Sequence, residues 1–113
     1  MFLEGIPDPN SLDSLLSGLS MHGDAMVRAG CATHLVRFAD DERTVDALVA
    51  ATDDADADVR RTVAEALGQC GGGLAGAARD KASACLTARL RDTHVEVRVQ
   101  ARAALDAMGI VTD

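Results

Sequence analysis

A Val-Arg pair occurs three times in this chain, at Val27-Arg28, Val59-Arg60 and Val97-Arg98, and in each case apolar residues follow the valine four and eight positions later. At 3.6 residues per turn those steps fall on one side of a helix. The result is three stripes, Val27/Cys31/Leu35, Val59/Val63/Leu67 and Val97/Ala101/Leu105. A single amphipathic helix cannot bury its own stripe, so recurring copies must pack on neighbouring helices. Such neighbours lie between the copies: Leu12/Leu15/Leu16/Leu19 precede the first, and Val45/Leu48/Val49 and Ala78/Ala82/Cys85/Leu86/Leu90 separate the others. The periodicity predicts six helices near 10–19, 24–38, 41–52, 56–69, 74–91 and 95–108. Paired in chain order, they form repeat units 10–38, 41–70 and 74–109 of one all-α domain spanning residues 1–113.

Helix punctuation supports these limits. Asp24 and Asp56 stand where an N-cap accepts from free backbone N–H groups, and Asp58 and Glu96 place negative charge at positive helix ends. Gly71-Gly72-Gly73 and Gly109 follow apolar runs, where a left-handed cap is expected. Both prolines, Pro7 and Pro9, precede the first helix. The copies are offset by 32 and then 38 residues, and the longer step falls around the glycine run and a longer fifth helix.

The pattern Asp54/Asp56/Val59-Arg60, Ala64, Ala66-Leu67-Gly68 is matched by Asp92, Val97-Arg98, Ala104-Leu105, and more weakly by Asp24, Val27-Arg28, Leu35. It resembles the short HEAT-like repeat of the type found in phycobilisome lyases, over roughly residues 10 to 109. The resemblance implies a short right-handed α-solenoid of about three helical hairpins, near the minimum such an array needs. It also implies that Asp54, Asp92, Arg28, Arg60 and Arg98 form a polar ladder along the turns. Two positions depart from it: His22 stands where the other copies have Asp54 and Asp92, and His94 where they have Asp24 and Asp56.

Charge narrows the range of partners. Acidic residues outnumber basic ones 18 to 11, for a net charge of −7, and Lys81 is the only lysine. Nucleic-acid binding draws its affinity from lysine and arginine on phosphates, so no nucleic-acid partner is expected, and the same balance disfavours anionic membranes. No run approaches the ~18 apolar residues of a membrane span, and Met1-Phe2-Leu3-Glu4 is not a basic-then-apolar leader. The expected address is cytoplasmic. The three cysteines agree, since their number is odd and their spacing gives no disulfide framework. Cys31 and Cys85 read as core thiols, and Cys70 as the one candidate for a reactive thiol.

Nothing in the sequence assembles a reaction centre, and no enzyme activity is expected. No serine sits in a nucleophile motif. Cys31 and His34, one turn apart, could supply two zinc ligands, but they align with Val63/Ala101 and Ala66/Ala104 and read as packing positions. The acidic run Asp53-Asp54-Ala55-Asp56-Ala57-Asp58 lacks the glycine and terminal glutamate of a calcium loop. Gly71-Gly72-Gly73 precedes no Lys-Ser/Thr and makes no phosphate cradle. The chain has no His-Glu dipeptide of the kind HEAT-like hydroxylases use for iron, and no added segment to hold a tetrapyrrole. No cofactor and no metal are expected.

A stacked array offers surface, so the expectation is a non-catalytic protein–protein interaction module, an adaptor or assembly subunit binding a protein or peptide. An accessory lyase or chaperone-like factor for a pigment or modified protein is the alternative. The resemblance to HEAT-like repeats implies recognition on the side formed by helices 10–19, 41–52 and 74–91, an inner face carrying Arg43, Asp46, Ser83, Thr87 and Arg91. A second candidate is the end of the array. Val95 and Val99 point away from the last stripe and, with Ile110 and Val111, could form an apolar patch covered by a second copy of the chain, a homo-oligomer, or by another protein.

Overall fold

The computed structural model describes residues 10–110, and every regular element among them is helical. Six α-helices follow in order: α1 Leu12–Met21, α2 Ala25–Leu35, α3 Glu42–Ala51, α4 Ala57–Cys70, α5 Gly76–Arg89 and α6 Val95–Ala107. Short 3-10 turns, Val36–Phe38 and Gly71–Gly73, extend α2 and α4. All six expected helices are present, and the polar turns set their ends. Ser11, Asp24, Asp41 and Asp56 each cap a helix by accepting from the backbone N–H two or three residues on.

The three stripes meet in one core. Leu35, Val59, Val63, Leu67, Val97, Ala101 and Leu105 are fully buried, and Leu15, Leu19, Leu48 and Leu86 close on them from α1, α3 and α5. Two rows result, α1/α3/α5 and α2/α4/α6. Within the second row α4 lies closely against both α2 and α6, while α3 meets α1 and α5 more sparsely. Small side chains permit the close approach: a Cβ at Gly68 would lie 2.9 Å from the Cα of Ala104, and one at Gly71 would overlap the Met108 side chain. The tighter row, α2/α4/α6, is called the inner row below and the looser row, α1/α3/α5, the outer row. Arg43 and Asp46 lie on α3, Ser83 and Thr87 on α5, and Arg91 two residues past the end of α5, so all five belong to the α1/α3/α5 row.

The glycines divide differently from expectation. Gly109 is left-handed (φ +75°) and ends α6 as a Schellman turn, in which Ile110 N–H donates to Leu105 O at 2.9 Å and Gly109 N–H to Asp106 O at 3.0 Å. Gly71 instead keeps a right-handed φ of −59°, and the left-handed residue in that connection is Gly76 (φ +58°). Gly71 is required for the close passage of Met108, not for a left-handed cap. Arg79, on α5, donates from Nη2 to the free carbonyl of Met108 at 2.9 Å and ties the end of α6 to the outer row.

Candidate interaction surface

Most buried charge in the described residues is committed to joining the repeats. The Arg28 guanidinium donates from Nε and Nη2 to the two carboxylate oxygens of Asp54, at 2.8 and 3.0 Å. Arg60 repeats this on Asp92 at 2.8 and 3.1 Å. Each carboxylate also accepts from a backbone N–H two residues on, Asp54 from Asp56 at 2.9 Å and Asp92 from His94 at 3.0 Å, which fixes the turn that presents it. These bidentate rungs are the polar ladder that the repeat pattern implied. The Arg60 hydrogen bond lowers the Asp92 carboxyl to about 2, against an opposing effect of burial and with help from His94 N–H and the charges of Arg60 and Arg89. Asp54 is also lowered: burial would raise it, and the Arg28 hydrogen bond, Asp56 N–H and the charges of Arg28 and Arg60 outweigh that.

The two histidine departures have separate outcomes. His22 substitutes for the turn-forming role of the aspartate, its Nδ1 accepting from Asp24 N–H at 3.0 Å. His94 precedes α6 without a side-chain cap and lies against Arg60 Nη2 at 3.3 Å. The cysteines pack as small apolar groups: Cys31 and Cys70 are buried, Cys85 is half-buried, and burial raises all three thiols. His34, by contrast with Cys31 on the same helix, faces solvent.

Among what remains exposed are three surfaces of different character. On the outer row, an open groove of about 390 Å³ lies between the entries of α3 and α5, with Asp40, Glu42, Asp46, Leu74 and Lys81 on its walls. Asp46 pairs with Lys81 across it at 3.6 Å, and Arg43 donates to Asp13 and Asp41 at 3.1 Å each. Thr87 donates its hydroxyl to the Ser83 carbonyl at 2.8 Å. Of the five candidate residues placed on the outer row, then, only Asp46 lines this groove, while Ser83, Thr87 and Arg91 lie toward the far end of α5. The second surface is on the inner row, a shallower depression between α2 and α4 of about 280 Å³ with Ala29, Asp58, Arg61 and Thr62. Its pairing of α2 with α4 comes from the row packing, which no single helix pattern encodes.

The third surface is the end of the array. Val95 and Val99 are 53 % and 61 % exposed, as the α6 pattern indicated, and Ile110 is half-buried; Val111 lies outside the described residues. At the opposite end Met21 and Met26 are 78 % and 83 % exposed. The helical pattern does not single out these two methionines, although Met26 precedes Val27 in the first copy and falls off its stripe. No helix among the described residues is long and apolar enough to cross a membrane.

Fold and surface together define a class: a stack of helical hairpins whose rigid polar joints hold up exposed grooves and ends. A family profile of HEAT repeats matches residues 12–106. The chain belongs to the HEAT-repeat family. A comparison with curated proteins gives no match. HEAT repeats commonly serve as protein-interaction modules.

Proposed function

We propose that this protein is a non-catalytic protein–protein interaction module, an adaptor or a subunit of a larger assembly, that binds a protein or peptide partner on its solenoid surface. One observation carries the reading: the buried charges Arg60 and Asp92 and the half-buried Arg28 and Asp54 are engaged in joining repeats, while the exposed surface pairs a groove with large apolar side chains at its ends. A group held in a bidentate rung is not free to act as an acid, a base or a nucleophile. Apolar groups left in water at an array end supply the area that association buries. Three cysteines packed as thiols support a reducing compartment, such as the cytoplasm, as the place of action.

The test is affinity purification of the tagged chain from its native host, with identification of co-purifying protein and an absorption spectrum of the product. A stoichiometric protein partner and no absorbance beyond the protein band support the reading. Visible absorbance from a bound pigment, or no enriched protein at all, would overturn it.

A further inference from the structure

The groove between α3 and α5 on the outer row is polarised. Its α3 side carries Asp40, just ahead of the helix, with Glu42 and Asp46, and its α5 side carries Lys81. All four of these side chains are exposed, whereas Val45 beneath them is buried and Leu74 half-buried. The result is a charged rim over an apolar floor. Asp46 is engaged with Lys81 at 3.6 Å. Asp40 and Glu42 meet no basic side chain among the described residues, and the residues outside 10–110 contain no Lys, Arg or His. Arg43, next to Glu42 in the chain, is turned instead to Asp13 and Asp41, and Arg79 on α5 to Met108 O. Two carboxylates therefore stand at the rim without a cation.

The α5 wall offers donors. That helix starts after Ala75 with no side-chain cap, so no side chain accepts from its first N–H groups, and Ala75, Ala77 and Ala78 line the groove. A partner helix cannot use such donors, because its carbonyls are bonded within it, but an extended segment can. In an extended segment successive side chains point to opposite sides. One apolar side chain turned down onto Val45 and Leu74 therefore sends both of its neighbours up to the rim, where Asp40 and Glu42 lie. The volume, about 390 Å³, is near the lower end of the ~300–1,000 Å³ of ligand pockets. It suits a short segment better than the face of a domain.

We propose that this groove binds an extended basic segment of a partner protein, in which Lys or Arg stands on each side of one medium-sized apolar residue. The apolar residue covers Val45 and Leu74, the two cations meet Asp40 and Glu42, and the segment's carbonyls face the entry of α5. Charge complementarity selects this occupant: the rim repels an acidic or phosphorylated segment, and a bare polyamine leaves the apolar floor in water. The inference rests on the interaction reading above and adds to it a surface and the chemistry of the partner.

The probe is a fluorescein-labelled, end-blocked peptide, Gly-Ser-Lys-Val-Arg-Ser-Gly, titrated against the full chain by anisotropy at about 0.05 M salt, where exposed charges are weakly screened. Saturable binding is expected, and Asp40→Asn/Glu42→Gln should weaken it by about fivefold or more. Glu65→Gln/Glu96→Gln removes the same charge from exposed sites on α4 and α6, with Glu96 in the first turn of α6 as Glu42 is in that of α3. That double variant should leave binding within about twofold, because attraction to the net charge of −7 is not the cause. Replacing the peptide's Val with Gly should also weaken binding by about fivefold or more. Amide shifts of the unsubstituted chain in NMR, which no variant's stability affects, should fall on Val45, Asp46, Leu74, Ala77 and Ala78. The proposal is overturned by no saturable binding, by equal weakening in both double variants, by shifts confined to other surfaces, or by spermidine displacing the peptide as well as unlabelled peptide does. Self-association of the parent chain that Asp40→Asn/Glu42→Gln abolishes in sedimentation velocity would make a second copy the occupant and overturn it too. A chain that fails these tests yet retains a native protein partner refutes the groove alone. Failure to find any protein partner refutes the interaction reading itself.

Discussion

Replacing Asp92 with asparagine removes one negative charge from the most enclosed rung of the array and little else. The Asp92 side chain is 2 % exposed and its partner Arg60 11 %, so neither can recover its hydration when the other is lost. The carboxyl is lowered from its ordinary 3.8 to about 2, a displacement worth about 2 kcal/mol of stability at neutral pH. Leaving Arg60 enclosed without its anion adds to that, since breaking buried pairs costs about 3–5 kcal/mol in general. Asparagine still offers an oxygen to His94 N–H, which reduces the loss, so Asp92→Asn is expected to cost about 2–4 kcal/mol near pH 7. The direction of the shift sets the pH dependence. A carboxyl lowered by folding stabilises fully above its unfolded value and ceases to do so as pH falls through its folded value, here between about 4 and 2. Urea titrations of both proteins from pH 7 to 2.5 measure the gap directly, with equal slopes as the control for an unchanged fold. A gap under about 0.5 kcal/mol at pH 7, or one of the same size at pH 2.5, would refute the assignment of the rung as a stabilising ion pair.

Packing and charge lead to further outcomes. Gly68→Ala should destabilise by about 1–2 kcal/mol despite a better helix propensity, because its Cβ would meet the Ala104 backbone. Gly30→Ala, with nothing within 4 Å of the added carbon, should stabilise by about 0.5–1 kcal/mol; the two variants having the same sign in urea titrations would contradict the row geometry. Leu67→Ala, fully buried where α4 enters the core, should cost about 2–5 kcal/mol by the same assay, and a neutral result would sink the shared core. With 18 acidic and 11 basic residues, the chain should bind neither duplex nor single-stranded DNA at about 0.15 M salt, and micromolar affinity in a filter or anisotropy assay would contradict this.

The six helices were legible because their signals are local: steps of four along the stripes, and aspartates at Asp24 and Asp56 that cap α2 and α4. The ladder was legible because the repeat pattern carries Asp54, Asp92 and the three arginines together. Features set by helix-to-helix distance were not. Gly71 sits in a run that resembles a left-handed cap, and only the passage of Met108 shows why it must be glycine. The tighter packing of the inner row likewise depends on Gly68 against Ala104, a contact between residues 36 positions apart. That signal was present, as small residues recur at Ala64, Gly68 and Ala104, but a one-helix pattern does not say which neighbour they face. Val95 and Val99, read from one helix alone, are exposed as expected, and Arg43, Asp46, Ser83, Thr87 and Arg91, read through the arrangement of rows, belong to the outer row.

Reconstitution from purified components tests the interaction reading most directly. The protein recovered with the tagged chain is expressed separately, mixed with it, and the complex footprinted by hydrogen exchange on the full chain. The account predicts a stable complex in which added protection is confined to exposed surface, the groove at α3 and α5 or the end around Val95 and Val99, with the buried core of α4 unchanged. No complex on mixing, or protection that requires the core helices to open, would contradict it.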